Sequence, residues 1–196
     1  FTVANLRIDG TLETSSSRGP TRDRRMKPEI SARGTNQLST APDNGILVFG
    51  GTSAAAPGIA GICALLYQAY KQFNQGVNPE SALIKAAVMN TATDIGTPGP
   101  DYQFGCGVVD AYRAYRLLAD RRFQKLVVRH GERIDLPFAI PPGTVLAKIM
   151  IYWPEHEASL LSSKALVNDL DMVVTSPSGT THQPWVLNPS PNAQTL

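Results

Sequence analysis

The chain has 196 residues, 42% hydrophobic and 17% charged, which is the composition of an ordinary globular protein with one domain or two small ones. The net charge of +2 is too small to predict a nucleic-acid or membrane-surface partner, and no apolar stretch is long enough to span a membrane. Two cysteines, Cys63 and Cys106, are too few for a disulfide framework or a cysteine metal site.

The first 120 residues alternate strand-like and helical segments, which is the pattern of an α/β domain. Short apolar runs predict strands at residues 1–6 and 46–49. Residues 53–73 predict a long helix with apolar or small residues on nearly every face. We therefore expect this helix to be buried all round.

Two further helices are predicted downstream. Asn78-Pro79 is typical of a helix start, because Asn caps free amides and Pro suits the first helical position, and this helix should run to about Thr91. A short strand after Gly107 and a third helix at residues 110–118 complete the region. On the second helix, four residues are expected to face inward: Leu83, Ile84, Ala87 and Val88.

From Phe123 onward the pattern changes to short strands separated by Pro- and Gly-containing turns. The strand-like segments are residues 126–128, 134–138, 145–152 and 170–175. This pattern indicates part of a β-sandwich, and there are too few strands to close one. We therefore divide the chain into an α/β region, 1–120, and a partial all-β region, 121–196.

A single serine, Ser53, lies among small residues at the start of the long helix, in the stretch GGTSAAAPGIAG. A residue in the first turn of a helix has a free N–H, and the helix dipole there favours a developing oxyanion. The small neighbours would let a polypeptide backbone approach the hydroxyl. The alternative is that Ser53 only caps an Ala-rich helix. Capping is a common role for serine at this position, so the spacing of residues alone favours the capping interpretation.

The residues around Ser53 closely resemble the nucleophile motif of the subtilisin-like serine peptidases, the subtilases. Four further segments resemble family motifs in the family's order: SSRGP (16–20), KPEISARG (27–34), NTAT (90–93) and GCGVVDA (105–111). The family usually has Met at Ala54, His at Gly58 and Pro at Arg33. The resemblance covers residues 1–118 and implies a parallel-sheet fold that hydrolyses peptide bonds through an acyl-enzyme on Ser53.

The other catalytic residues of that family have no counterpart before Ser53. The subtilisin triad runs Asp, His, Ser along the chain, whereas the three histidines here, His130, His156 and His182, all follow Ser53. We therefore expect the aspartate, the histidine and an oxyanion-binding asparagine to lie upstream of Phe1. On this hypothesis residues 1–120 are the C-terminal part of a catalytic domain, inactive alone. An incomplete parallel sheet should associate with the missing N-terminal part, associate with itself, or leave much of the first region poorly ordered.

Residues 165–180 resemble the jelly-roll-like β-sandwich domain that follows the catalytic domain in some subtilases. Asp169 and Asp171 are candidate calcium ligands, but a solvated strand face with a turn at Asn168 is the favoured interpretation, and no other cofactor is expected. Trp153 and Trp185 are expected to pack in the core or between domains.

The resemblance also implies a secreted enzyme that acts on proteins or peptides, although we recognise no signal peptide in the sequence. Two alternatives remain. The chain is a binding or stabilising β-sandwich module, or it is a non-catalytic subtilase homologue with a structural role.

Overall fold

The computed structural model describes residues 1–189, in which all three helices and the longer strands lie before residue 120. β1 (Val3–Leu6) and β2 (Ile30–Arg33) pair in parallel, with Val3 opposite Ile30. Ser31 of β2 also forms a parallel bridge with Val108, at the position of the short strand predicted after Gly107. The predicted α/β organisation of the first region is therefore confirmed at this level.

A β-hairpin connects this sheet to the first helix. β3 (Gln37–Ala41) and β4 (Gly45–Phe49) pair antiparallel across a turn in which Asp43 and Asn44 both have positive φ, a conformation that these two residue types tolerate. The sequence predicted β1 and β4 but not β2 or β3. Both missed strands are short and carry polar residues, so they lack a clear apolar alternation.

The helices are α1 (Thr52–Phe73), α2 (Ser81–Thr91) and α3 (Ala111–Ala119). Asp110 caps α3 by accepting a hydrogen bond from the Arg113 backbone N–H at 2.9 Å. The predicted start of α2 at Asn78 is wrong. The backbone stays extended through Glu80, with φ −71° and ψ 142°, and no side chain caps the helix.

The core lies between the helices and β2. The three inward residues Ile84, Ala87 and Val88 of α2 are buried, and Leu83 is half-buried, as predicted. The remaining buried members of this apolar cluster come from β2, α1, α3 and neighbouring segments: Ile30, Ala32, Ala55, Ile59, Leu66, Met89, Ala92, Cys106, Ala114, Leu117 and Leu118. Cys63 is only half-buried, at the edge of this cluster.

The prediction that the long helix is buried all round is wrong for the described residues. β1, β2, α2 and α3 contact α1, but one side of the helix stays exposed, and Leu65 is 65% exposed there. The small residues of this exposed side are Ala56, Pro57, Gly58, Ala60, Gly61 and Ala64. Within residues 1–189, no helix is long and apolar enough to cross a membrane.

Residues 121–189 contain a single strand pair, β5 (Val174–Thr175) with β6 (Thr181–His182). The strands predicted at 126–128, 134–138 and 145–152 do not form, and the one predicted at 170–175 forms only at its last two residues. A strand needs a hydrogen-bonded partner, and these segments have none among the described residues. The β-sandwich stays a prediction, and residues 190–196 lie outside the described part.

The two tryptophans lie differently from each other. Trp153 is half-buried, whereas Trp185 is 70% exposed and therefore is not a core residue. The Trp185 ring nevertheless lies against Gly99 of the first region, where an added Cβ would be 2.9 Å from the indole Cε2. This contact between the two regions is one of the two placements that the sequence predicted for it.

Candidate active site

Ser53 is the second residue of α1, and its side chain is exposed. The N-cap is Gly51, whose φ of 100° favours glycine, and no side chain caps the helix. Ser53 is therefore not a capping serine. No residue within 1–189 forms a hydrogen bond or ion pair with its side chain, and its backbone N–H lies among the first helical amides, which have no intrahelical acceptor. The hydroxyl and the backbone N–H of Ser53 are therefore both available to hydrogen-bond a ligand.

The first turn of α1 is held by the end of β2. The Gly51 N–H donates to the carbonyl oxygen of Gly34 at 3.1 Å, and the Gly34 N–H donates to that of Leu6 at 3.3 Å. A Cβ at Gly34 would lie 2.5 Å from the Gly51 oxygen and 2.6 Å from the Ala55 nitrogen. Glycine at position 34 thus permits this close approach. Ser53 lies at the carboxyl end of two parallel strands, where α/β proteins place their ligand sites.

The buried polar residues Asn5 and Ser16 support the same strand ends. Asn5, 1% exposed on β1, donates from Nδ2 to the Thr35 hydroxyl at 3.3 Å, and its backbone N–H donates to Ser16 Oγ at 3.1 Å. Ser16 belongs to the SSRGP motif, which therefore has a structural role here. Sequence reasoning did not single out Asn5, because an asparagine inside a four-residue strand carries no local signal.

Glu29 is a buried carboxylate just before β2, at the opposite end of that strand from Gly34. Lys85 Nζ lies 2.5 Å and Lys27 Nζ 2.9 Å from its Oε1, and the Thr2 N–H donates to Oε2 at 2.9 Å. Burial by itself raises the pKa of Glu29, but the hydrogen bonds from the two lysines outweigh it and lower the pKa to about 2. A Cβ at Gly105 would lie 2.4 Å from the Glu29 carbonyl carbon, so two of the sequence motifs pack directly together.

The three histidines and the candidate calcium ligands do not join Ser53. His130, His156 and His182 are exposed in the second region. Asp169 and Asp171 are exposed, and the described residues form no group of three or more His, Cys, Asp or Glu side chains that could hold a metal ion. The calcium site stays a prediction.

The neighbouring Asn168 has a different partner. It donates to the carboxylate of Glu155 from its backbone N–H at 3.1 Å and from its side-chain amide at 2.7 Å. This pairing closes the loop between residues 155 and 168. It gives the turn predicted at Asn168 a specific hydrogen-bond partner.

The sequence profile described as "Subtilase family" matches residues 1–107. Alkaline elastase YaB of Bacillus sp. (strain YaB) is 33% identical over 113 residues, which are 58% of this chain and 28% of that protein. Minor extracellular protease Vpr of Bacillus subtilis (strain 168) is 42% identical over 87 residues, 41% of this chain and 10% of that protein. The chain thus spans less than a third of the length of these relatives.

The structure of the chain is similar to those of known proteases. The solved structure of the Clostridium perfringens CspB protease superposes with a TM-score of 0.55 and 32% sequence identity, over 61% of this chain and 27% of that one. The profile covers more than half of the chain and includes Ser53 together with the strand ends that hold it. The chain therefore belongs to the subtilase family of serine peptidases.

Proposed function

We propose that residues 1–120 are the C-terminal part of the catalytic domain of a subtilisin-like serine endopeptidase and that Ser53 is its nucleophile. The observation that carries this proposal is the placement of Ser53. It is an exposed residue in the first turn of α1, with an unpaired hydroxyl and amide, at the carboxyl end of two parallel strands. A merely structural serine would cap the helix or pack in the core.

In the proposed reaction the Ser53 hydroxyl oxygen attacks the carbonyl carbon of a peptide bond while its proton passes to a general base. The carbonyl oxygen becomes negative, and the Ser53 backbone N–H with the positive end of α1 stabilises it. The base then gives the proton to the departing amine, which leaves an ester on Ser53. Water, deprotonated by the same base, hydrolyses the ester and restores the serine.

No described residue hydrogen-bonds the Ser53 hydroxyl, which supports a general base from outside this part of the chain. We infer that a histidine, its orienting aspartate and an asparagine that binds the oxyanion lie upstream of Phe1, in the order that subtilisin uses. The chain alone is then inactive. The exposed side of α1 is the surface that the upstream part would cover, and in its absence this apolar surface favours self-association.

The names of the relatives support the substrate class and the location. One is called an elastase and another an extracellular protease, and both are proteases. We therefore propose a secreted enzyme that acts on polypeptides, without a cofactor in its chemistry.

The test is covalent labelling of the full-length protein with a fluorophosphonate, which reacts with activated serines. Ser53 should carry the label, and Ser53→Ala should abolish it. Ser17→Ala, which changes another exposed serine of the same region, should leave labelling unchanged. A full-length protein that is folded but is not labelled at Ser53 would instead be a non-catalytic homologue.

A further inference from the structure

We propose that residues 148–152 form a positioning clamp that fixes α2 and, through α2 and β2, the first turn of the helix that carries Ser53. The proposal rests on the proposed role of Ser53 as nucleophile. It gives a part in the reaction to a segment of the second region, outside residues 1–107 that match the family profile.

The burial of the side chains alternates from residue 149 to residue 152. Met150 and Tyr152 pack against the core cluster of the first region, and Lys148 reaches the end of α2. The intervening Ile149 and Ile151 are 39% and 41% exposed. In an extended chain, residues two apart share a side. We call the side of Lys148, Met150 and Tyr152 the inner side, because the contacts above are made from it, and the side of Ile149 and Ile151 the outer side; the Lys148 side chain is exposed and reaches the first region through its Nζ.

Lys148 binds the C-terminal end of α2. Its Nζ donates to the carbonyl oxygen of Ala92, the C-cap residue, at 2.8 Å, and its own carbonyl oxygen accepts from Asn90 Nδ2 at 3.3 Å. The last carbonyls of a helix lack intrahelical partners and carry partial negative charge, so a lysine there is stabilising. The two bonds run in opposite directions and fix the segment to the last turn of α2.

Tyr152 holds the other end of the segment at the middle of α2. Lys85 Nζ lies 5.3 Å from the centre of the Tyr152 ring, within the range of a cation–π interaction. The same ammonium pairs with Glu29. Burial lowers the pKa of Lys85, but the interactions with Glu29 and Tyr152 outweigh it and raise the pKa above its ordinary value. Tyr152 and Glu29 therefore share one charged group between them.

Glu29 connects that group to the helix of Ser53. It directly precedes β2, and at the other end of this short strand Gly34 accepts the hydrogen bond from Gly51 and leaves no space for a Cβ. The first turn of α1 must follow any displacement of β2. A clamp that holds α2 and Glu29 consequently sets the position of Ser53.

The experiment uses the full-length protein with Lys148→Ala and Tyr152→Ala on the inner side, matched to Ile149→Ala and Ile151→Ala on the outer side. Two quantities are measured well below the melting temperature: the rate of fluorophosphonate labelling of Ser53, and amide hydrogen exchange in residues 81–92 and 52–56. Each inner variant should speed exchange in both ranges and slow labelling by about fivefold, as loss of one helix-end or cation–π interaction predicts. The outer variants should match the wild type.

Faster exchange in residues 81–92 with unchanged labelling and unchanged exchange in 52–56 would make the segment a structural support and overturn the proposal. Equal effects of the outer variants would also overturn it. If an alanine variant does not fold, Tyr152→Phe is compared with Tyr152→Leu instead. Only phenylalanine keeps an aromatic face toward Lys85, so the leucine variant should show the larger effect on exchange and labelling. If the wild type is not labelled at all, the proposed function fails, while exchange in residues 52–56 still decides whether the clamp reaches α1.

Discussion

The two regions of this chain bury their apolar side chains to very different extents. In the first region, helices and a parallel strand pair bury a continuous cluster that runs from Ile30 to Leu118. In the second, Val145 and Leu160 are fully exposed, and β5 and β6 span two residues each. Apolar content alone therefore does not produce a core.

The difference comes from where the backbone finds its hydrogen-bond partners. A helix satisfies its own amides and carbonyls locally, so α1, α2 and α3 can form first and then bury one face against β2. A strand satisfies them only when a second strand is placed beside it. The second region thus depends on strand pairing throughout, whereas helices satisfy much of the backbone of the first region and its β1–β2 and β3–β4 pairs do form.

Gly34→Ala should have the largest effect, because it acts on the contact that joins β2 to the helix of Ser53. A Cβ there meets the backbone of Gly51 and Ala55, neither of which can rotate away. We expect a loss of about 4 kcal/mol in the free energy of unfolding of the full-length protein, measured in urea, and loss of Ser53 labelling.

Gly76→Ala is the matched control for that variant. Position 76 has a φ of 86° and no atom within 4 Å of an added Cβ, so the cost is backbone strain alone, about 1 kcal/mol. Similar losses from the two substitutions would show that the close approach at Gly34 is not what holds the site.

Acid should weaken the first region through Glu29. Its pKa is about 2 in the folded protein, against an ordinary value of 4.5, so the folded state holds the charged form more strongly than the unfolded state does. The resulting stabilisation, about 3 kcal/mol, is complete above about pH 5 and is lost as the pH falls toward 2. Urea unfolding of the full-length protein between pH 7 and pH 2.5 should show this loss. Glu29→Gln should lack that part of the pH dependence, and an unchanged slope would contradict the assignment.

Lys85→Met should cost about 2 kcal/mol of unfolding free energy, because it leaves the buried Glu29 carboxylate with Lys27 as its remaining cationic side chain. Lys85→Arg keeps the charge and should recover most of the loss. The measurement is urea unfolding at pH 7. If the methionine variant were as stable as the wild type, the pair would contribute no more than a surface pair.

The Glu29–Lys85 pair also shows what the sequence could not predict. Its partners are 56 residues apart, and no local pattern connects them. Local signals did predict α1, α3 and β4, together with the position of Ser53 at a helix start, since Gly50-Gly51 and the apolar run after it are adjacent in the sequence. The capping pattern at Asn78 predicted the wrong start for α2, because the N-cap is Glu80, two residues later. The strands predicted after residue 123 did not form as predicted, because a strand-like residue pattern carries no information on whether a partner strand is present.

Asp110→Ala should cost about 1 kcal/mol by removing the N-cap hydrogen bond to the Arg113 amide, and it should weaken α3 more than its neighbours. Asp110→Asn keeps an acceptor at the same place and is the control. Amide exchange of residues 111–119 reports this locally. Equal effects of alanine and asparagine would mean that the charge of Asp110 matters more than the cap.

The smallest effect is expected in the second region, at the ion pair of Arg133 with Asp135. Its N–O distance is 2.9 Å, no longer than that of the Lys27–Glu29 pair, but its side chains are 85% and 79% exposed. Water already solvates both charges, so Arg133→Ala should change the free energy of unfolding of the full-length protein by less than about 0.5 kcal/mol. A loss above about 1 kcal/mol would show that Arg133 is buried in the complete protein. The contrast between the two regions would then be smaller than the exposed side chains of residues 121–189 indicate.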